Sequence, residues 1–154
     1  MQTVSNLLTT TEMTVTVRAG ELTRVEPQMG LGARLGVKLQ GAPDPEDRGA
    51  LAKDNPGAVV SDLDEWASLV QFQLLAPQKW PIPVLFSYEL GPGVVAGSRE
   101  VRELRFGSEQ ESELLPSGSY TLEARTRGGR VVTTPVELVD GCTTSVTVRF
   151  PSAR

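Results

Sequence analysis

The sequence predicts an all-β fold, an antiparallel β-sandwich of transthyretin or immunoglobulin type with a long loop-rich insertion. Three observations point there. Apolar and polar residues alternate over several short stretches, the period of a half-buried strand. Turn chemistry is frequent, with 15 Gly and 11 Pro among 154 residues. The apolar runs are short and rich in Val and Leu, with only four Phe, two Trp and two Tyr, and their spacing is that of a sandwich or barrel. The length suits one domain plus an attached segment, enough to bury a core without disulfides or metals.

The elements follow in order. Residues 13–18 (MTVTVR) alternate strictly, Ala19-Gly20-Glu21 turns, and Leu22 to Pro27 returns. Arg34 to Gln40 alternates again, with Leu35, Val37 and Leu39 on one face. Residues 42–66 differ: Pro, Gly and carboxylates dominate, as in an insertion or a functional loop. Single helical turns fit at 47–53 and after Ser61, which could cap a helix with Asp64 at its third position. Strands are expected over 67–75 (ASLVQFQLL), 84–90 (VLFSYEL) and 101–106 (VRELRF), with Val101, Leu104 and Phe106 as core candidates. Gly91-Pro92-Gly93 is a turn and 109–113 (EQESE) a polar connector. Three closing strands are expected over 120–125, 131–139 and 146–150. Gly128-Gly129 and Asp140-Gly141 between them are hairpin signals.

Composition excludes several function classes. There is no histidine, which removes Ser-His and Cys-His catalytic pairs and His-ligated metals. The single cysteine, Cys142, excludes an internal disulfide, and it is expected to sit buried or half-buried in a strand. Fifteen basic against nineteen acidic residues leave a net charge of −4, with no basic run to mark a nucleic-acid partner. The first residues lack the pattern of a signal peptide, and no apolar run is long enough to span a membrane. The compartment stays open: cell surface if the chain is cut from an exported protein, otherwise cytoplasmic or virion-borne.

Two segments look alike. Residues 15–25 (VTVRAGELTRV) and 136–146 (VELVDGCTTSV) share Val, apolar, Gly, Thr and Val positions at a constant offset of 121 residues. Either two Gly-turn hairpins coincide, or residues 1–30 are an arm or the closing hairpin of a preceding unit, and 31–154 form the sandwich domain.

Leu115-Pro-Ser-Gly118-Ser-Tyr120-Thr-Leu122 resembles the Leu-Pro-x-Gly-x-Tyr-x-Leu motif of carboxypeptidase regulatory-like and Cna B-type repeats. The Gly turn, strand, Asp140-Gly141 and last strand that follow also fit. The resemblance covers 112–150 and the strand at 33–41; over 42–110 the family usually has far shorter loops. It implies a transthyretin-like sandwich and a non-catalytic role as spacer, adhesion or regulatory module. Gly118 would allow a close approach before the strand, and Tyr120 would bury its ring and hydrogen-bond its hydroxyl. Some relatives cross-link a first-strand Lys to a last-strand Asn beside a central acid. Lys38 and Glu123 match in place, but 144–150 holds no Asn or Asp, so no cross-link is expected and Lys38 should face solvent. Transthyretin-like hydrolases that need histidine are excluded outright.

Other chemistry is thinner. Asp62, Asp64 and Glu65 are a faint echo of a calcium loop, without its full pattern. Trp66, Trp80, Tyr88 and Phe86 could stack on sugars, although Trp66 and Trp80 are better placed as plugs of the sandwich ends. No two acids pair convincingly for glycosidase work, and Gly30-Leu-Gly32-Ala-Arg-Leu-Gly36 is spaced one residue too long for a dinucleotide fingerprint. The reading is therefore a non-enzymatic structural or protein-interaction module of a surface protein, envelope protein or larger assembly. It needs no cofactor, and it meets protein partners or its own copies through sheet edges. An accessory protein of a virus-like particle and a carbohydrate-binding module are the alternatives.

Overall fold

The computed structural model describes residues 9–10, 15–24, 29–77, 80–89 and 98–151. In chain order the strands are β1 (Thr9–Thr10), β2 (Met29–Gly30), β3 (Arg34–Gln40), β4 (Leu69–Leu75), β5 (Ile82–Pro83), β6 (Phe86–Glu89), β7 (Ser98–Val101), β8 (Glu103–Arg105), β9 (Glu109–Glu111), β10 (Gly118–Thr126), β11 (Val131–Leu138) and β12 (Thr143–Arg149). Two helices, α1 (Pro45–Asp54) and α2 (Val60–Ala67), separate β3 from β4.

The protein is mostly β, built on two main sheets. One runs β11-β10-β4-β5, with β8 also on β4, and all its pairs are antiparallel. The other runs β12-β3-β9: β12 lies parallel to β3, and β9 antiparallel to it. Isolated bridges from Ala33 to Leu115 and from Phe86 to Ser112 tie in the loop before β10 and the β6–β7 ribbon.

Alternation decides which face is covered. Leu35, Val37 and Leu39 of β3 are buried, as are Val70, Phe72 and Leu74 of β4. Tyr120, Leu122 and Ala124 of β10, with Val148 and Phe150 at the end of the chain, complete one core drawn from both sheets. The rings of Phe72 and Phe86 meet edge-on at 5.7 Å inside it. Each such side chain contributes roughly 1.5–3 kcal/mol by leaving water.

Several expectations are corrected. Residues 42–66 are not chiefly loop. Asp44, in extended backbone, caps α1 by accepting from the Glu46 N–H, and Pro45 begins the helix with a preset φ. The Asp47 carboxylate returns to the Asp44 N–H at 3.2 Å and closes the box. Pro and carboxylates, read as loop chemistry, are here the start signals of a helix. Ser61 caps nothing, because α2 begins one residue earlier behind Val59. Residues 109–111 are not a connector but the strand β9 on β3. Only Gln110 of the three is even half-buried, so alternation gave no signal. Residues 101–106 do not run as one strand, since β7 ends at Val101 and β8 starts at Glu103.

Asp140-Gly141 does not close a hydrogen-bonded hairpin. β11 pairs with β10 and β12 with β3, so this turn carries the chain from one sheet to the other. Gly128-Gly129 does join a true hairpin, β10 to β11. Val15 to Arg18 and Glu21 to Arg24 are exposed and outside any strand, with the expected turn between them. Residues 13–14, 25–27 and 90–93 of the expected elements lie outside the described residues.

Candidate functional site

The chain's conspicuous surface features lie near β3's start. Asp140 reaches across the turn between β11 and β12, and its carboxylate accepts from the Gly32 N–H at 2.7 Å and the Leu31 N–H at 3.1 Å. The Gly141 N–H donates to the Gly32 carbonyl at 2.7 Å. A Cβ on Gly30 would stand 2.8 Å from the Asp140 carboxylate, so a larger residue there would push that side chain from its place. Beside this clamp a cavity of about 430 Å³ opens between Leu31, Arg34, Glu111, Leu114, Cys142 and Thr143. Arg34 pairs with Glu111 at 3.5 Å and donates to the Ser112 carbonyl at 3.0 Å. Cys142 is exposed in the turn, not buried in a strand. It is the last residue of a four-residue turn whose N–H is taken by the Val139 carbonyl, so its side chain is held outside either sheet.

Preceding this clamp in the chain is the arm. Its base is the pairing of β1 with β2, Thr9 opposite Gly30 and Thr10 opposite Met29. Its tip is a turn in which the Glu21 N–H donates to the Arg18 carbonyl at 3.3 Å, with Gly20 at φ +81°. Val17 and Leu22 flank that turn at 77 % and 100 % exposure. Two large apolar side chains are thus given to water, one on each side of a single turn.

The most strongly charged interior point is elsewhere. Asp47 is 1 % exposed. Its carboxylate accepts from Arg130 Nε at 2.9 Å and Thr126 Oγ1 at 2.8 Å, and Arg130 Nη2 lies 2.7 Å away. Arg130 also donates to the Ala42 carbonyl and stacks its guanidinium 5.3 Å from the Phe150 ring centre. Burial by itself would raise the Asp47 pKa. The hydrogen bonds from Arg130, Thr126 and the Asp44 backbone outweigh it and hold the carboxyl below the usual carboxylate range. Three of these contacts, from Arg130 and the Asp44 N–H, fall on Oδ2 and one, from Thr126, on Oδ1, so the group clasps α1 to the β10–β11 hairpin.

The Tyr motif has a clear geometry. Leu115 is buried and bridges to Ala33. Gly118 has φ +147°, and a Cβ there would meet the Tyr120 ring at 3.3 Å. Tyr120 is buried and its hydroxyl donates to the Ser117 carbonyl at 3.3 Å. Leu122 is buried two residues on. The ring thus lies back over the strand's own start, and a side chain at 118 would both crowd it and have to take up a positive φ.

The remaining sequence candidates fall apart in space. Asp62, Asp64 and Glu65 sit on α2, not in a loop. Asp64 pairs with Arg48 at 2.8 Å and Glu65 with Arg105 at 2.6 Å. Trp66 is half-buried, but Trp80 is 88 % exposed and plugs nothing, which overturns that expectation. The Tyr88 side chain lies outside the described residues. Lys38 is exposed, and Glu123 bonds Gln73 and Arg125. Sequence reasoning missed the Asp47–Arg130 clasp, whose members stand 83 residues apart. The one local signal was the Asp44-Pro45 helix start. No helix among the described residues is long and apolar enough to cross a membrane. Comparison with protein-family models, with curated proteins and with solved structures finds no match to this chain.

Proposed function

We propose that this chain is a transthyretin-like β-sandwich module with a non-catalytic structural or protein-interaction role, in a surface or envelope protein or a larger assembly. The observation that carries the reading is the arm, where Val17 and Leu22, one on each side of the turn at 18–21, are both exposed to solvent. The Gly118–Tyr120 geometry supports the family resemblance, and the core shared by both sheets suits a sandwich. The test is affinity capture from the producing cells with the full chain and with Val17→Asp/Leu22→Asp. A protein retained by the first and released by the second supports the reading, and identical capture by both overturns it.

A second reading has one observation in its favour. Trp80 presents its indole almost fully to water between Pro77 and Pro81, as a sugar-stacking platform would. Quenching of tryptophan fluorescence by a glycan, lost in Trp80→Ala, would replace the first reading with carbohydrate binding.

A further inference from the structure

The turn between β11 and β12 has a twin. In Val139–Cys142 the last N–H returns to the first carbonyl at 3.0 Å, and Gly141 has φ +75°. In Arg18–Glu21 the last N–H returns to the first carbonyl at 3.3 Å, and Gly20 has φ +81°. The two turns stand at the same 121-residue offset that relates residues 15–25 to 136–146. A shared sequence pattern thus coincides with a shared turn geometry.

The flanks agree as well. Val136, Leu138, Val148 and Phe150 are buried, and Val146 packs against the core. At the same offset stand Val15, Val17, Pro27, Met29 and Val25, every one apolar. Glu137, Ser145, Thr147 and Arg149 face solvent. Their counterparts are Thr16, Arg24, Glu26 and Gln28, every one polar. The match holds over 15–29 except at Leu22, which stands opposite the exposed Thr143, and lapses before it, where Thr11 stands opposite Val132. Residues 15–29 therefore carry the two-faced pattern of the last two strands of this fold. In this chain those two places are filled by β11 and β12, and Val15 and Val17 are left exposed.

We propose that residues 13–29 dock on a second unit of this two-sheet plan as its last two strands. One lies along the free edge of that unit's β10 and the other runs parallel to its β3. The proposal rests on the interaction-module reading and names the partner: a unit whose final two strand places are empty. Such a unit offers unpaired backbone N–H and C=O groups on two edges and an open apolar core between them. The arm supplies both strands and the side chains for the core. Ala19 stands where Asp140 grips the Leu31 and Gly32 N–H groups, so the docked turn is held less firmly than this chain's own.

The test transplants the arm within the full chain. Residues 131–150 are replaced by a copy of 10–29, with Asp140 retained. A companion receives 11–30 instead, one residue out of phase, which places Thr, Arg, Glu and Gln at the inward positions. The in-phase chain is expected to unfold cooperatively and to protect its core amides from exchange, and the shifted chain to do neither. Both folding alike, or both failing alike, overturns the proposal. The second measurement leaves the module's own strands intact. Val15→Asp with Val17→Asp is expected to leave the thermal midpoint within about 2 °C, as for surface substitutions. A larger fall would mean that the arm packs on its own module and would also overturn the proposal. Neither readout depends on capture of a partner, so this proposal and the wider reading can fail separately.

Discussion

Asp47→Asn tests the buried clasp. The substitution keeps the shape of the side chain and an oxygen for either Arg130 or Thr126, but removes the charge. A hydrogen bond to a charged partner contributes about 1.5–3 kcal/mol, and breaking a buried ion pair costs about 3–5 kcal/mol. The Arg130 side chain is 22 % exposed and keeps the Ala42 carbonyl, so water and that carbonyl offset part of the loss. The expected cost is about 2–3 kcal/mol. At about 2–4 °C per kcal/mol for a chain of this size, the thermal midpoint should fall by roughly 4–12 °C. The pH dependence has a definite sign. The folded-state pKa of Asp47 lies below its ordinary value of 3.8. Its contribution is therefore full above about pH 4 and is lost as pH falls through the lowered folded value. Denaturant unfolding of wild type and variant across pH 2–7 should show a gap that is constant near neutrality and closes in acid. A gap below about 0.5 kcal/mol at pH 7, or one that ignores pH, would refute the clasp as a source of stability.

Further outcomes can be checked alongside. Arg130→Gln and Asp47→Asn combined should cost less than the sum of the two, with a coupling of about 1–3 kcal/mol in a double-mutant cycle. Gly128→Ala should destabilise by about 1–3 kcal/mol by chemical unfolding, because its Cβ would come within 2.3 Å of the Asp47 Cα. Tyr120→Phe should cost about 1 kcal/mol, since it removes the hydroxyl's hydrogen bond to Ser117 and leaves the ring in place. Cys142 should react with a thiol reagent in the native protein as fast as in denaturant, because it is exposed; protection in the native state would contradict its placement in the turn.

Period-two alternation is a local property; strands were expected where β3, β4 and β10 stand, and at β3 the alternation also placed the buried face. Leu35, Val37 and Leu39 were assigned to one face and all three are buried. The same signal failed at β9, because its residues lie at a sheet margin where the pattern has nothing to report. Helix α1 was masked by its start signals, which use the same Pro and Asp as loops do, and α2 has no side-chain cap to announce it. Trp80 was misplaced because a large aromatic residue suggests burial, while burial is conferred only by what packs around it.

What the residue order determined by itself is local: the strand faces, the turns, the tight place at Gly118 and the twin pattern at an offset of 121 residues. What only the tertiary structure decided is which strands become neighbours. β12 runs parallel to β3 across more than a hundred residues, and Asp47 finds Arg130 and Thr126 from a distant helix. The tertiary structure also showed that the turn at Asp140-Gly141 crosses between sheets instead of folding a hairpin. The reason is physical. A side chain's period reports which way it points, whereas the partner it meets depends on backbone pairing summed over the whole fold.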